Sequence, residues 1–182
     1  MLARHQSDYI RLALPKGRLL PATARLLSEI GLEFKDYTQR TRTYRLKSTM
    51  LPYLSAKMFQ EKDIPIQVAV GNYDFGICGL DWIEELLAKY PASALVKVVD
   101  LEYNKGNLYM ATSQQGSISN LQDLQTRQDS WRIVTEYPNL AETLALSLRL
   151  RKFRIFPTWG ATEAYPREMP TWSCCGQKMN RN

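Results

Sequence analysis

Histidine is almost missing from this sequence: His5 stands alone among 182 residues, in an N-terminal stretch expected to fray. Chemistry that turns on a histidine base or on histidine metal ligands is therefore not expected. Cysteine is nearly as scarce. Cys78, Cys174 and Cys175 are too few and too badly spaced for a disulfide framework or a zinc site, and no metal-binding residues are assigned. No apolar run approaches membrane-spanning length, and Met1 to Tyr9 is polar and charged, unlike a signal peptide. These absences predict a protein of the reducing cytoplasm that touches no membrane. Charge of one sign is in modest excess, with 24 Lys and Arg against 18 Asp and Glu and a net charge of +6. No basic block or recognisable module concentrates that excess, so no nucleic-acid partner is expected. A plain basic surface is the default account, and a small anionic substrate fits equally well. Internal repeats and low-complexity tracts are lacking too.

What is present is core-forming material. Hydrophobic residues make up 45% of the chain, enough for one large domain or two small lobes. Short apolar runs at Ile10–Leu14, Ile66–Val70, Ala94–Leu101, Leu108–Thr112, Arg132–Thr135 and Arg154–Pro157 read as strands. Helical spacing marks Leu19–Ile30, Trp82–Lys89, Ser119–Leu124 and Leu140–Leu150. The alternation predicts an α/β fold with mostly parallel sheets. Residues 36–62 are ambiguous, although Arg40–Lys47 suits an edge strand. The polar stretch Asp100–Asn107 is the best hinge, dividing a first lobe (1–100) from a second (101–166). From Arg167 onward neither period is present although a strand is due, so 167–182 reads as an aberrant tail.

Four stretches carry candidate chemistry. In "LPKGRLLP" (14–21), Lys16 and Arg18 fall at the start of a helix, the end that prefers anions. Each cation there costs a few tenths to about 1 kcal/mol unless an anion is bound. Gly17 lets a ligand approach the backbone. Two side chains reaching into solvent, and two gripping a phosphate, are equally good readings of this spacing, which is not that of a Walker loop. In "GNYDFGICGLDWIEE" (71–85), Gly76 and Gly79 flank a strand end, where ligands bind in open α/β sheets. Asp81 and Glu84 read first as helix capping, and Cys78 as a small buried hydrophobe. In "TEYPNL" (135–140), Thr135 and Asn139 are possible donors to phosphate or ribose, but turn chemistry with Asn139 as N-cap is the preferred reading. In "WGATEAYP" (159–166), Glu163 near a strand end is a weak candidate for a ribose contact or a base.

Together, "LPKGRL", "DIPIQVAVGNYDFGICGLDWIEE", "RIVTEYPNL" and "WGATEAYP" resemble, in order, the catalytic subunit of the ATP phosphoribosyltransferase family, in its short form. The resemblance spans Ile10 to Pro166. It implies a two-lobed, periplasmic-binding-protein-like (type II) fold with the active site in the cleft. It implies attack of N1 of ATP on C1 of phosphoribosyl pyrophosphate with loss of pyrophosphate, Mg²⁺ accompanying the substrates, and a partner subunit resembling histidyl-tRNA synthetase. On this reading Lys16, Gly17 and Arg18 bind phosphate, Gly76, Gly79 and Asp81 line the cleft, and Glu163 lies near the sugar phosphate. A non-catalytic anion-binding domain of the same fold is the alternative.

Two departures qualify the resemblance. Gln60 stands where an arginine is expected, and nothing after Pro166 matches the family's acidic Thr-Gly loop, which leaves the second lobe incomplete. Residues 168–175 can be back-translated so that one restored base turns them into Glu-Asn-Ala-Asp followed by an apolar strand. A one-base frameshift, with little transferase activity as its consequence, is therefore expected. Coding DNA whose alternative frame yields no apolar strand and no Thr-Gly loop would sink that expectation.

Overall fold

The computed structural model describes residues 9–41, 43–48, 50–103, 105–112, 120–126 and 130–159, and the backbone of 171–176. The chain divides into two compact units, Met1–Ile83 with Ala92–Asn104, and Glu84–Pro91 with Lys105–Asn182.

The first unit is built on β1 (Ile10–Pro15), β2 (Arg45–Lys47), β3 (Leu54–Phe59) and β4 (Phe75–Gly76) in the order β2-β3-β1-β4. β1 pairs parallel with both β3 and β4, and only β2 runs antiparallel, at the edge. Central placement explains why Ala13, Leu14 and Pro15 are all buried. β3 alternates, with Leu54, Ala56 and Met58 buried. α1 (Leu20–Glu29) buries Leu20, Thr23 and Leu27 on one face, and the chain turns away at Gly31, whose φ is +74°. Leu14, Leu20, Leu27, Phe34, Leu46 and Met58 meet in the core.

Two strand readings in this unit are corrected. Ile66–Val70 is not a strand: it lies at the end of a short helix, α2 (Ile64–Ala69), with a proline in its first turn. The run alternates as a strand would, but Ile64 and Val68, four apart, face the same glycine on β4, while Ile66 and Val70 are exposed. Ala94–Leu101 also forms no strand. Its apolar pattern is a strand signal, but a strand needs a hydrogen-bonding partner, and Val96, Val98 and Val99 are exposed.

α3 (Leu80–Lys89) spans the division between the units. The second unit holds β5 (Leu108–Thr112), α4 (Leu121–Thr126), β6 (Trp131–Thr135), α5 (Pro138–Ser147), β7 (Phe153–Pro157) and β8 (Thr171–Gly176). Its sheet runs β5-β8-β6-β7. β8 corrects the reading of the tail as lacking any strand: it pairs antiparallel with β5 and parallel with β6. A slot between two strands offers backbone donors and acceptors to any sequence, which periodicity cannot reveal. Trp131, Ile133, Ala141, Ala145 and Leu150 form this unit's core. Among the described residues no helix is long and apolar enough to cross a membrane.

Candidate functional site at the carboxyl edge of the first sheet

The chain leaves β1 toward β3, then crosses back over β1 to reach β4. A reversal of this kind opens a crevice outside the carboxyl ends of the strands. Three segments emerge along that edge: Lys16–Arg18 after β1, Gln60–Glu61 after β3, and Ile77–Asp81 after β4. They are held in register by the Lys16 N–H, which donates to the Phe59 carbonyl at 2.8 Å, and the Ile77 N–H, which donates to Ala13 at 3.0 Å.

Lys16 caps a turn of 3₁₀ helix, Gly17–Leu19, that runs straight into α1. Gly17 has φ +81°, a conformation that a side chain would strain. No acidic residue lies in the first turn of either helical segment, and neither cap makes a side-chain hydrogen bond. The Lys16 ammonium sits 5.2 Å from the centre of the Tyr44 ring. Lys16, Gly17, Arg18, Thr38, Thr41 and Tyr44 line an open pocket of about 520 Å³. Behind it Tyr37 donates from its hydroxyl to the Pro15 carbonyl at 2.7 Å. The Thr23 hydroxyl donates to Leu19 at 2.8 Å, which leaves the Tyr103 hydroxyl to donate to Thr23 at 2.7 Å.

The anion beside Arg18 comes from the chain itself. Glu61 Oε2 lies 3.2 Å from the guanidinium, within hydrogen-bond distance. Burial pushes the Glu61 carboxyl above the ordinary glutamate range, against the pull of Arg18. Glu61 is invisible in the sequence because its place beside Arg18 depends on the β1–β3 pairing, and β3 falls in the stretch that periodicity leaves ambiguous.

At Gly76, the last residue of β4, glycine serves packing. A Cβ at Gly76 would meet Ile64 Cγ2 at 2.5 Å and Val68 Cγ2 at 3.0 Å, and one at Gly79 would collide with Asp81 Oδ1. Asp81 lies within the first turn of α3 with its carboxylate turned back over Gly79. Burial, then the charges of Asp81 and Glu61, push the Cys78 thiol up to about 12. Such a thiol stays protonated at neutral pH and is no nucleophile.

The remaining candidates lie in the second unit or beyond description. Thr135 is fully buried at the end of β6, and its hydroxyl accepts the Tyr137 N–H at 2.9 Å. Asn139 is not the N-cap of α5; Tyr137 is. The Asn139 side-chain amide donates instead to Glu85 at 2.7 Å. Glu163 lies outside the described residues. The structure thus brings Lys16, Gly17, Arg18, Gly76, Gly79 and Asp81 to one sheet edge, with Glu61 added.

The sequence model of the family described as "HisG: ATP phosphoribosyltransferase" matches residues 60–169. The ATP phosphoribosyltransferase of Methanococcoides burtonii is 31% identical over 158 residues, 86% of this chain and 51% of that protein. That of Nostoc punctiforme is 30% identical over 158 residues, covering 86% and 69% respectively. The chain spans about half the length of the first curated relatives it matches. A solved "ATP phosphoribosyl transferase (HisG:HisZ) complex from Thermotoga maritima" superimposes with a TM-score of 0.71 at 22% identity, over 93% of this chain and 74% of that one. The likeness shows the fold, a periplasmic-binding-protein-like α/β architecture with mostly parallel sheets.

Proposed function

Because the chain belongs to the ATP phosphoribosyltransferase family, we propose that it serves the transfer of a phosphoribosyl group from phosphoribosyl pyrophosphate to N1 of ATP. This is the first step of histidine biosynthesis. The N1 lone pair forms the bond to C1 of the sugar while the C1–oxygen bond breaks, its electrons leaving with pyrophosphate. The step asks little of a protein base; it asks for two polyanions held in line and for charge stabilised on the departing group. The observation that carries the reading is the Lys16–Gly17–Arg18 turn, with two cations on the wall of a pocket at the reversal point of a parallel sheet. Mg²⁺ is a hard cation suited to polyphosphate oxygens. Asp81 and Glu61, the two carboxylates described on this edge, are a small set that fits an ion travelling with its substrate. The location is taken to be the cytoplasm. The partner is taken to be a regulatory subunit resembling histidyl-tRNA synthetase, a reading supported by the solved relative, which is a two-component HisG:HisZ complex.

The test mixes the purified chain, with and without such a subunit, with ATP, phosphoribosyl pyrophosphate and Mg²⁺, and follows pyrophosphate release alongside calorimetric binding of each substrate. Binding of ATP or the phosphoribosyl donor, with little turnover, is the expected result. A folded chain that binds neither substrate would refute the proposal.

A further inference from the structure

At the edge just described a carboxylate already sits against the Arg18 guanidinium. Glu61 begins a 3₁₀ turn two residues past the end of β3, and its side chain is only 11% exposed. It takes a hydrogen bond from the Arg18 guanidinium at 3.2 Å, beside the start of the turn that leads into α1. This is the kind of donor a phosphate oxygen would use at the start of a helix. The arrangement also answers the electrostatic cost of placing cations there, since a negative charge is supplied from the neighbouring strand.

We propose that Glu61 is a resident anion that holds Arg18 in the ligand-free protein and competes with substrate phosphate for it, so that binding requires the carboxylate to yield. The inference rests on the reading of this pocket as a phosphate site and adds the regulation of its affinity. Glu61 is a positioning residue acting through Arg18. Its raised proton affinity agrees with a carboxylate that gives up its charge readily when a second anion arrives.

Calorimetry with pyrophosphate on wild type, Glu61→Gln and Arg18→Ala tests it. Glutamine retains an oxygen for Arg18 but lacks the charge. E61Q should bind pyrophosphate roughly tenfold more tightly than wild type, and R18A should bind it more weakly. A tighter complex is not what loss of a merely structural contact produces. Equal or weaker binding by folded E61Q overturns the inference while leaving the site intact. Failure of both wild type and E61Q to bind pyrophosphate or ATP overturns the phosphate-site reading, and this inference with it. Should E61Q not fold, sulfate binding to wild type gives the answer, because sulfate keeps its charge as the pH is lowered. Affinity should rise as Glu61 takes up its proton. The other groups facing Glu61 are Arg18, Tyr37, Cys78, Asp81 and Tyr103. Of these Asp81 is the other carboxylate, so Asp81→Asn serves as the control. A flat profile in that control background overturns the proposal.

Discussion

Glu85 closes the start of the helix that carries Asn139: its carboxylate accepts the Asn139 N–H and the Leu140 N–H at 2.8 Å each, and the Asn139 side-chain amide at 2.7 Å. The anion position at the start of α5 is therefore filled from α3, by a residue that is 8% exposed. Burial raises the Glu85 carboxyl above its usual range despite these donors. Removing the carboxylate leaves helix-end N–H groups without a partner in a half-buried place. Glu85→Ala should cost about 2–3 kcal/mol of stability, and Glu85→Gln less, since one oxygen remains to accept. Urea unfolding followed by circular dichroism measures both. Equal stability of E85A and wild type would show that water replaces the cap at no cost.

Two glycines on the candidate edge should fail for different reasons. Gly17 has φ +81°, and a Cβ added there would meet nothing within 4 Å. Gly17→Ala is therefore a backbone effect alone, about 1–2 kcal/mol, and Gly17→Asn should recover part of it. Gly76 has ordinary backbone but no room, so Gly76→Ala should cost about 1–3 kcal/mol by overpacking, and pairing it with Ile64→Val should relieve some of that. Thermal unfolding of the four variants separates strain from crowding. Rescue of G76A by asparagine at 17, or no effect of I64V, would contradict the assignment.

The first strand, the first helix and the glycine that ends it were legible because period and punctuation agree at Ile10–Gly31. The candidate edge was legible only in part. Lys16, Gly17 and Arg18 are consecutive and their turn is local, so spacing locates them. The partner Glu61 is 43 positions away from Arg18, and only strand pairing brings it near. Gly76 reads from sequence as a place for a ligand to approach, yet the group that approaches is Ile64. The apolar run at 64–70 carries both periods at once, and tertiary packing of Ile64 and Val68 on β4 decides for helix. β8 was hidden for the opposite reason, since its place depends on the unpaired edges of β5 and β6 rather than on its own composition.

Lys16 and Arg18 should differ in what their loss does. On the proposed reading each offers a charged donor to a phosphate, worth about 1.5–3 kcal/mol, or roughly 10- to 100-fold in Kd. Lys16→Ala removes a cation standing over Tyr44, a contact worth no more than about 1 kcal/mol to the fold. Arg18→Ala removes the same binding contribution and also strands the Glu61 carboxylate. K16A should therefore weaken ATP binding with little change in the unfolding midpoint, while R18A should lower both. Calorimetry and thermal unfolding on the same samples check this. Unchanged ATP affinity in both variants would remove these residues from the site.

Glu61 should also give the fold a pH dependence opposite to that of an ordinary ion-paired carboxylate. Its carboxyl is raised from 4.5 in the folded protein, so between that value and the higher folded one the native state holds a proton that the unfolded chain has lost. Its stabilising contribution is thus complete below 4.5 and is lost as the pH rises through the folded value. Glu61→Gln removes the titration. The urea midpoints of wild type and E61Q should lie closest together in acid and separate toward neutral pH, with E61Q gaining relative to wild type. Arg11 and Asp74, paired at 3.0 Å on the same sheet, are present in both proteins and cancel in the difference. A difference that stays constant across the range, or that favours wild type increasingly toward neutral pH, would show that Arg18 holds Glu61 ionised at no net cost.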